Sequence, residues 1–229
     1  LKQLKLATTE PDQVTSFSKY VIKTADQDAF QAERCSVQEG ADWLRPEVQL
    51  AAFEHRAGRL VADLALAVLG ENVIWSDLNL ECWRLCHAHS QYVLARSAIE
   101  GVAQAKAQGL SPATIVVLKR LSDLFALHTI QGSLGDYLED HFLAPKQCQL
   151  LRQQIKSLQE VLADDMVGLV DAFDFPDHFL NSALGSADGE AYQRLWDAAQ
   201  RQEINQSEVV DGYKEYIVPI LTQYGAAKL

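Results

Sequence analysis

The sequence predicts an all-α protein built as a helical bundle. Only six prolines and twelve glycines punctuate 229 residues. Between them run long stretches of Ala, Leu, Gln, Glu and Arg, which form helices readily. Apolar residues recur there at three- and four-residue steps, and the alternation expected of strands is almost absent.

The first residues, Leu1-Lys-Gln-Leu-Lys-Leu6, read as the tail of a helix already under way, so the chain is expected to be a piece of a longer polypeptide. Between Gln13 and Gly40 the chain is mostly polar, with Phe17, Tyr20, Val21 and Phe30 as isolated apolar residues. Residues 1–40 are therefore expected to be a helix end followed by a linker or loosely docked arm. The main helical domain is placed at 41–225.

Within that domain, Asp42 precedes Pro46, and proline suits a first helical turn because its missing N–H is not needed there. The helix from Pro46 to about Leu69 carries Leu50, Phe53, Ala57, Leu60, Val61, Leu64 and Val68 on one face. Gly70 stops it. Trp75 is the candidate hydrophobic staple and Ser76 or Asp77 the candidate cap of a second long helix, which runs through Trp83, Leu85, Tyr92 and Ile99 toward Ala107. After Gly109, Ser111-Pro112 opens a third helix bearing Ile115, Leu118, Leu121, Phe125 and His128, which closes before Gly132. A short turn of helix is expected near Tyr137–Phe142. Ala144-Pro145 then starts a fourth long helix, with Leu151, Ile155, Leu158, Leu162, Met166, Leu169 and Val170 on its buried side. Helices over about 190–201 and 207–221 complete the set. Short connections between long amphipathic helices favour antiparallel neighbours.

The bulk properties exclude several classes of function. Net charge is −11, with Lys and Arg scattered rather than gathered in a stripe, which argues against a nucleic-acid partner. The longest apolar run, Leu60–Leu69, is broken by Asp63, so no membrane span is expected. Four irregularly spaced cysteines, Cys35, Cys82, Cys86 and Cys148, do not resemble the framework of a small disulfide-rich domain.

Three local clusters invite a chemical reading. Cys82 and Cys86, four apart with His87 and His89 beside them, look like half a zinc site. His87 points away from Cys86 by about 100° of helix, and no second ligand pair stands at a usual spacing, while Trp83 and Leu85 look like core. No metal is assigned. Asp164, Asp165, Asp171, Asp174 and Asp177 supply carboxylates, but their interleaving with Phe173, Phe175 and Pro176 reads as a helix end and a capped turn. Gly132-Ser-Leu-Gly135 has too few glycines and no preceding strand for a phosphate loop. At the last positions, Ala227, Lys228 and Leu229 have the small, basic, aliphatic pattern of a peroxisomal address that an import receptor reads, so 226–229 is assigned as a targeting tail.

The run Leu169-Val-Asp-Ala-Phe-Asp-Phe-Pro-Asp177, followed by Leu180-Asn-Ser-Ala-Leu-Gly185 and Asp188-Gly-Glu-Ala-Tyr192, resembles the C-terminal helical region of peroxisomal acyl-CoA oxidases. Further resemblance lies in Ala88-His89 with Tyr92-Val93, in Gly132–Leu138 and in Tyr213-Lys-Glu-Tyr216, covering the chain from about Trp43 onward. The resemblance implies the fold of that region in the acyl-CoA dehydrogenase superfamily and a parent flavoenzyme holding FAD. Such an enzyme removes hydrogens from C2 and C3 of a fatty acyl-CoA to give the trans-2-enoyl-CoA, and passes electrons to oxygen to give hydrogen peroxide. It also implies a proton-abstracting glutamate that lies upstream. No residue here matches that motif, so no catalytic position is assigned and neither Glu10 nor Glu39 is given the role. Flavin contacts are expected mainly upstream. What remains for this part is helical packing against the upstream oxidase core and a share in a homodimer, with apolar surface exposed where the core belongs. The alternatives are a non-catalytic docking or dimerisation module of the same fold and a zinc-stabilised helical domain around Cys82 and Cys86.

Overall fold

A computed structural model describes residues 2–70, 73–186 and 188–225 of the chain. These fall into two compact units, 1–166 and 167–229. Among the described residues every regular element is helical and there is no strand.

In the first unit, three short helices come first: α1 (Lys2–Thr9), α2 (Tyr20–Lys23) and α3 (Gln27–Gln31). Asp26 caps α3 by accepting from the Ala29 N–H. Four long helices follow: α4 (Pro46–Leu69), α5 (Asn79–Ala107), α6 (Pro112–Gln131) and α8 (Pro145–Leu162), with the short α7 (Leu134–Glu139) between the last two. Helix α4 packs on α5, α5 on α6, and α6 on α8. Proline sits in the first turn of α4, α6 and α8 as its geometry predicts, and Ser111 caps α6 by accepting from the Thr114 N–H.

The core gathers Trp43, Phe53, Leu127, Ile130, Tyr137, Leu143 and Leu151, all essentially sealed from solvent. Burying a side chain of this size contributes about 1.5–3 kcal/mol each. Tyr20, Val21, Cys35 and Val37 belong to the same core. The 13–40 segment is therefore packed rather than loosely docked, and compactness divides the chain after Met166 where composition suggested a boundary near residue 40. Backbone bonding explains the packing. The Cys35 N–H donates to the Phe142 carbonyl at 2.9 Å, and the Gln147 amide donates to the carbonyls of Cys35 and Val37 at 2.8 and 2.9 Å. A polar stretch can dock tightly when its backbone partners are supplied by another element.

Several local expectations change. Neither Ser76 nor Asp77 caps α5, which is entered from a 3₁₀ turn over Trp75–Leu78 with no side-chain cap, and Trp75 is exposed rather than stapled. Trp83, read as core, is 62% exposed and stacks on His87, with ring centroids 5.2 Å apart. On α6 the buried stripe is Ser122, Asp123, Ala126, Leu127 and Ile130, and Phe125 is exposed. The fourth long helix ends at Leu162; a 3₁₀ turn over Ala163–Asp165 leads into α9 (Met166–Asp171), on which Met166 and Val170 are exposed.

The second unit holds α10 (Asp177–Leu180), α11 (Ala191–Arg201) and α12 (Val218–Gln223), the last entered through a π turn over Tyr213–Ile217. The helix expected over 207–221 thus begins only at Tyr213. Arg194 pairs with Asp188 at 2.5 Å, and that carboxyl is held down at about 2, chiefly by this hydrogen bond. Large apolar side chains stay exposed along the unit, among them Phe173, Phe175, Phe179, Tyr192 and Trp196.

Candidate functional site

Helix α4 carries a run of polar residues on a face that is otherwise apolar. His55 is 2% exposed at its centre. Its Nδ1 lies 2.9 Å from a Glu33 carboxylate oxygen and its Nε2 lies 2.7 Å from Asp140 Oδ2. The imidazole is stacked between the rings of Phe30 and Phe142, with centroids 4.9 and 4.0 Å away. Each of two distant segments thus supplies one ring and one carboxylate: Phe30 with Glu33, and Phe142 with Asp140.

One residue further on, Arg56 donates to Asp136 at 2.6 Å and to Gln91 at 2.5 Å, and Arg84 of α5 donates to the other Asp136 oxygen at 2.6 Å. Burial alone would push the Asp136 carboxyl up, but hydrogen bonds from Arg56 and Arg84 overcome it and hold it below the usual carboxylate range. Asp140 follows the same pattern: burial opposes, the His55 bond prevails, and the net direction is down. Arg59 pairs with Glu139 at 2.9 Å. Together α4, α5 and α7 are pinned by charge-assisted bonds.

A cleft of about 460 Å³ opens above this cluster, with His55, Arg59, Asp140 and Phe30 at its base and Arg34 and His141 at its rim. His141 holds left-handed backbone at φ 61°. Arg34 donates to the carbonyls of Gln31 and Glu33 through one terminal nitrogen, and Arg59 donates to Glu139 through one of its own, while the buried Arg59 Nε has no partner; Asp63 and Asp140 stand in the same lining. With two carboxylates in the lining, the residues of this cleft do not fit a flavin nucleotide.

A second polar pair lies on α2 and α5. The Tyr20 hydroxyl is 3.0 Å from His89 Nδ1. Burial is the first cause that pushes the Tyr20 phenol up to about 12, with Tyr92 and Cys86 adding to it, and burial moves the His89 ring down. Elsewhere, Gln49, fully buried, donates to the Trp43 carbonyl and to Asp123 at 2.8 and 2.9 Å, while Lys119 closes on the same Asp123 at 2.5 Å.

The residues singled out from sequence are arranged differently. Cys86 is exposed and Cys82 partly so. His87 stacks on Trp83, and His89 is taken by Tyr20. No group of three metal-binding side chains occurs among the described residues. Asp164 and Asp165 lie in the 3₁₀ turn after α8, Asp171 ends α9, Asp174 holds left-handed backbone in the turn, and Asp177 opens α10. The expected cap there is not made by an aspartate: Pro176 occupies the N-cap position of α10. Gly132 follows the last turn of α6 as a helix break, and Gly135 lies in α7. The tail Ala227, Lys228 and Leu229 lies outside the described residues. No helix among the described residues is long and apolar enough to cross a membrane. Sequence reading missed His55, Arg56 and Arg59; the available signal was three basic residues at i, i+1 and i+4 inside the apolar face of one helix.

The family model described as Acyl-CoA oxidase matches residues 45–222. This chain belongs to the acyl-CoA oxidase family. It is 37% identical over 198 residues to rabbit (Oryctolagus cuniculus) peroxisomal acyl-coenzyme A oxidase 2, covering 83% of this chain and 28% of that protein. It is 34% identical to Arabidopsis thaliana peroxisomal acyl-coenzyme A oxidase 1, covering 83% of this chain and 29% of that protein. The chain thus spans under a third of the length of these oxidases. Its fold follows the solved Arabidopsis thaliana acyl-CoA oxidase 1 with a TM-score of 0.79 at 30% identity, over 97% of this chain and 35% of that one. A Caenorhabditis elegans acyl-CoA oxidase-2 structure, bound with FAD, ascaroside-CoA and ATP, shares the fold with a TM-score of 0.78 at 20% identity, over 100% of this chain and 33% of that one. The all-α bundle is thus the fold of the matching region of acyl-CoA oxidases.

Proposed function

We propose that this chain is the C-terminal helical part of a peroxisomal acyl-CoA oxidase. The parent protein then oxidises a fatty acyl-CoA to the trans-2-enoyl-CoA, with O2 as the acceptor and H2O2 as the second product. The observation that carries this reading is the family match over residues 45–222. FAD is the proposed cofactor, supported by its presence in the related nematode structure. The flavin is proposed to be bound mainly by the part of the protein outside this chain, since the two carboxylates lining the cleft on α4 do not suit it. The proton-abstracting glutamate is assigned there too.

The role proposed for these residues is packing. Leu66, Leu69, Trp75, Leu80 and Trp83 of the first unit, and Phe179, Tyr192 and Trp196 of the second, are exposed apolar groups of the kind that meet a protein neighbour. We assign them to contacts with the oxidase core and with the second subunit of a homodimer. The same exposure favours the second reading, a docking or dimerisation module that has kept the fold without the reaction. Peroxisomal import is proposed to use Ala227, Lys228 and Leu229 as the receptor-read address.

One experiment separates the readings. The intact protein is purified and assayed for flavin absorbance and for peroxide formation with a panel of saturated acyl-CoAs. Stoichiometric flavin with acyl-CoA-dependent peroxide is the expected result. A folded dimer without flavin or peroxide would leave the docking module as the answer. The address is tested by fusing Ala-Lys-Leu to the C-terminus of a fluorescent protein, which is expected to become peroxisomal; diffuse fluorescence would rule the assignment out.

A further inference from the structure

We draw no further inference here: the strongest candidate, the cleft of about 460 Å³ above His55, carries Arg34 and Arg59 together with Asp63 and Asp140 in one lining, so it favours neither an anionic nor a cationic ligand, and it belongs to the site already described.

Discussion

Gly58 of α4 lies so close to Phe30 that a Cβ built on it would stand 2.9 Å from the ring Cζ and 3.1 Å from Thr24 Cγ2. The Phe30 ring has little room to retreat, because its other face is stacked on His55. Two effects then compete in Gly58→Ala. Alanine improves the helix by up to about 1 kcal/mol, while overpacking against a ring and a methyl group costs about 1–3 kcal/mol. The clash wins. The substitution is expected to lower the urea midpoint of the chain and to raise hydrogen exchange over 27–37; a midpoint at or above wild type would show that Phe30 can move freely.

Asp136 is half-buried and joins two arginines from different helices, of which Arg56 is buried. Removing the carboxylate in Asp136→Ala strands the Arg56 charge, which costs about 3–5 kcal/mol. The pH dependence follows from the direction of its shift. A carboxyl held below its unfolded value contributes stability above that value, and the contribution is lost as pH falls through the folded value. Wild type and variant are therefore expected to differ most near neutrality and to converge in acid, read as urea midpoints at a series of pH values. A difference that grows on acidification would contradict the assigned pairing.

How much of this was legible in the sequence depends on the kind of signal. Proline placement and apolar spacing located α4, α6 and α8 to within a residue or two at their starts, because those features act through the local backbone. The 13–40 segment was misread as loose because its anchors are non-local: Gln147 and Phe142, more than a hundred residues away, satisfy its backbone. The buried face of α6 was shifted for a similar reason, since Asp123 is drawn inside by Gln49 and Lys119, which hydropathy cannot foresee. The His55 cluster was invisible for the same cause: Glu33 and Asp140 meet His55 only in three dimensions.

Gln49 tests how far such a buried polar contact matters. Its amide nitrogen serves both the Trp43 carbonyl and Asp123, so Gln49→Leu leaves two buried acceptors short of a donor. Each unsatisfied group costs about 1–3 kcal/mol, reduced for Asp123 because Lys119 still reaches it. A net loss of about 2 kcal/mol is expected in chemical denaturation. A neutral or stabilised variant would show that apolar packing at this site outweighs the lost hydrogen bonds.

The Tyr20–His89 pair gives a spectroscopic handle on the junction between α2 and α5. The buried phenol is pushed up to about 12, whereas an exposed tyrosine ionises near 10. In an ultraviolet titration of the intact protein, Tyr20→Phe is expected to remove one late-ionising phenol and leave the early fraction unchanged. The same variant removes the hydrogen-bond partner of His89 Nδ1 and keeps the ring packing on Tyr92, so its stability cost is small, about 0.5–1.5 kcal/mol. The loss arises from one hydrogen bond and not from a cavity, so Tyr20→Leu, which also removes the ring, must cost clearly more. Equal losses in the two variants would mean that the ring packs poorly and that the hydrogen bond alone secures the junction.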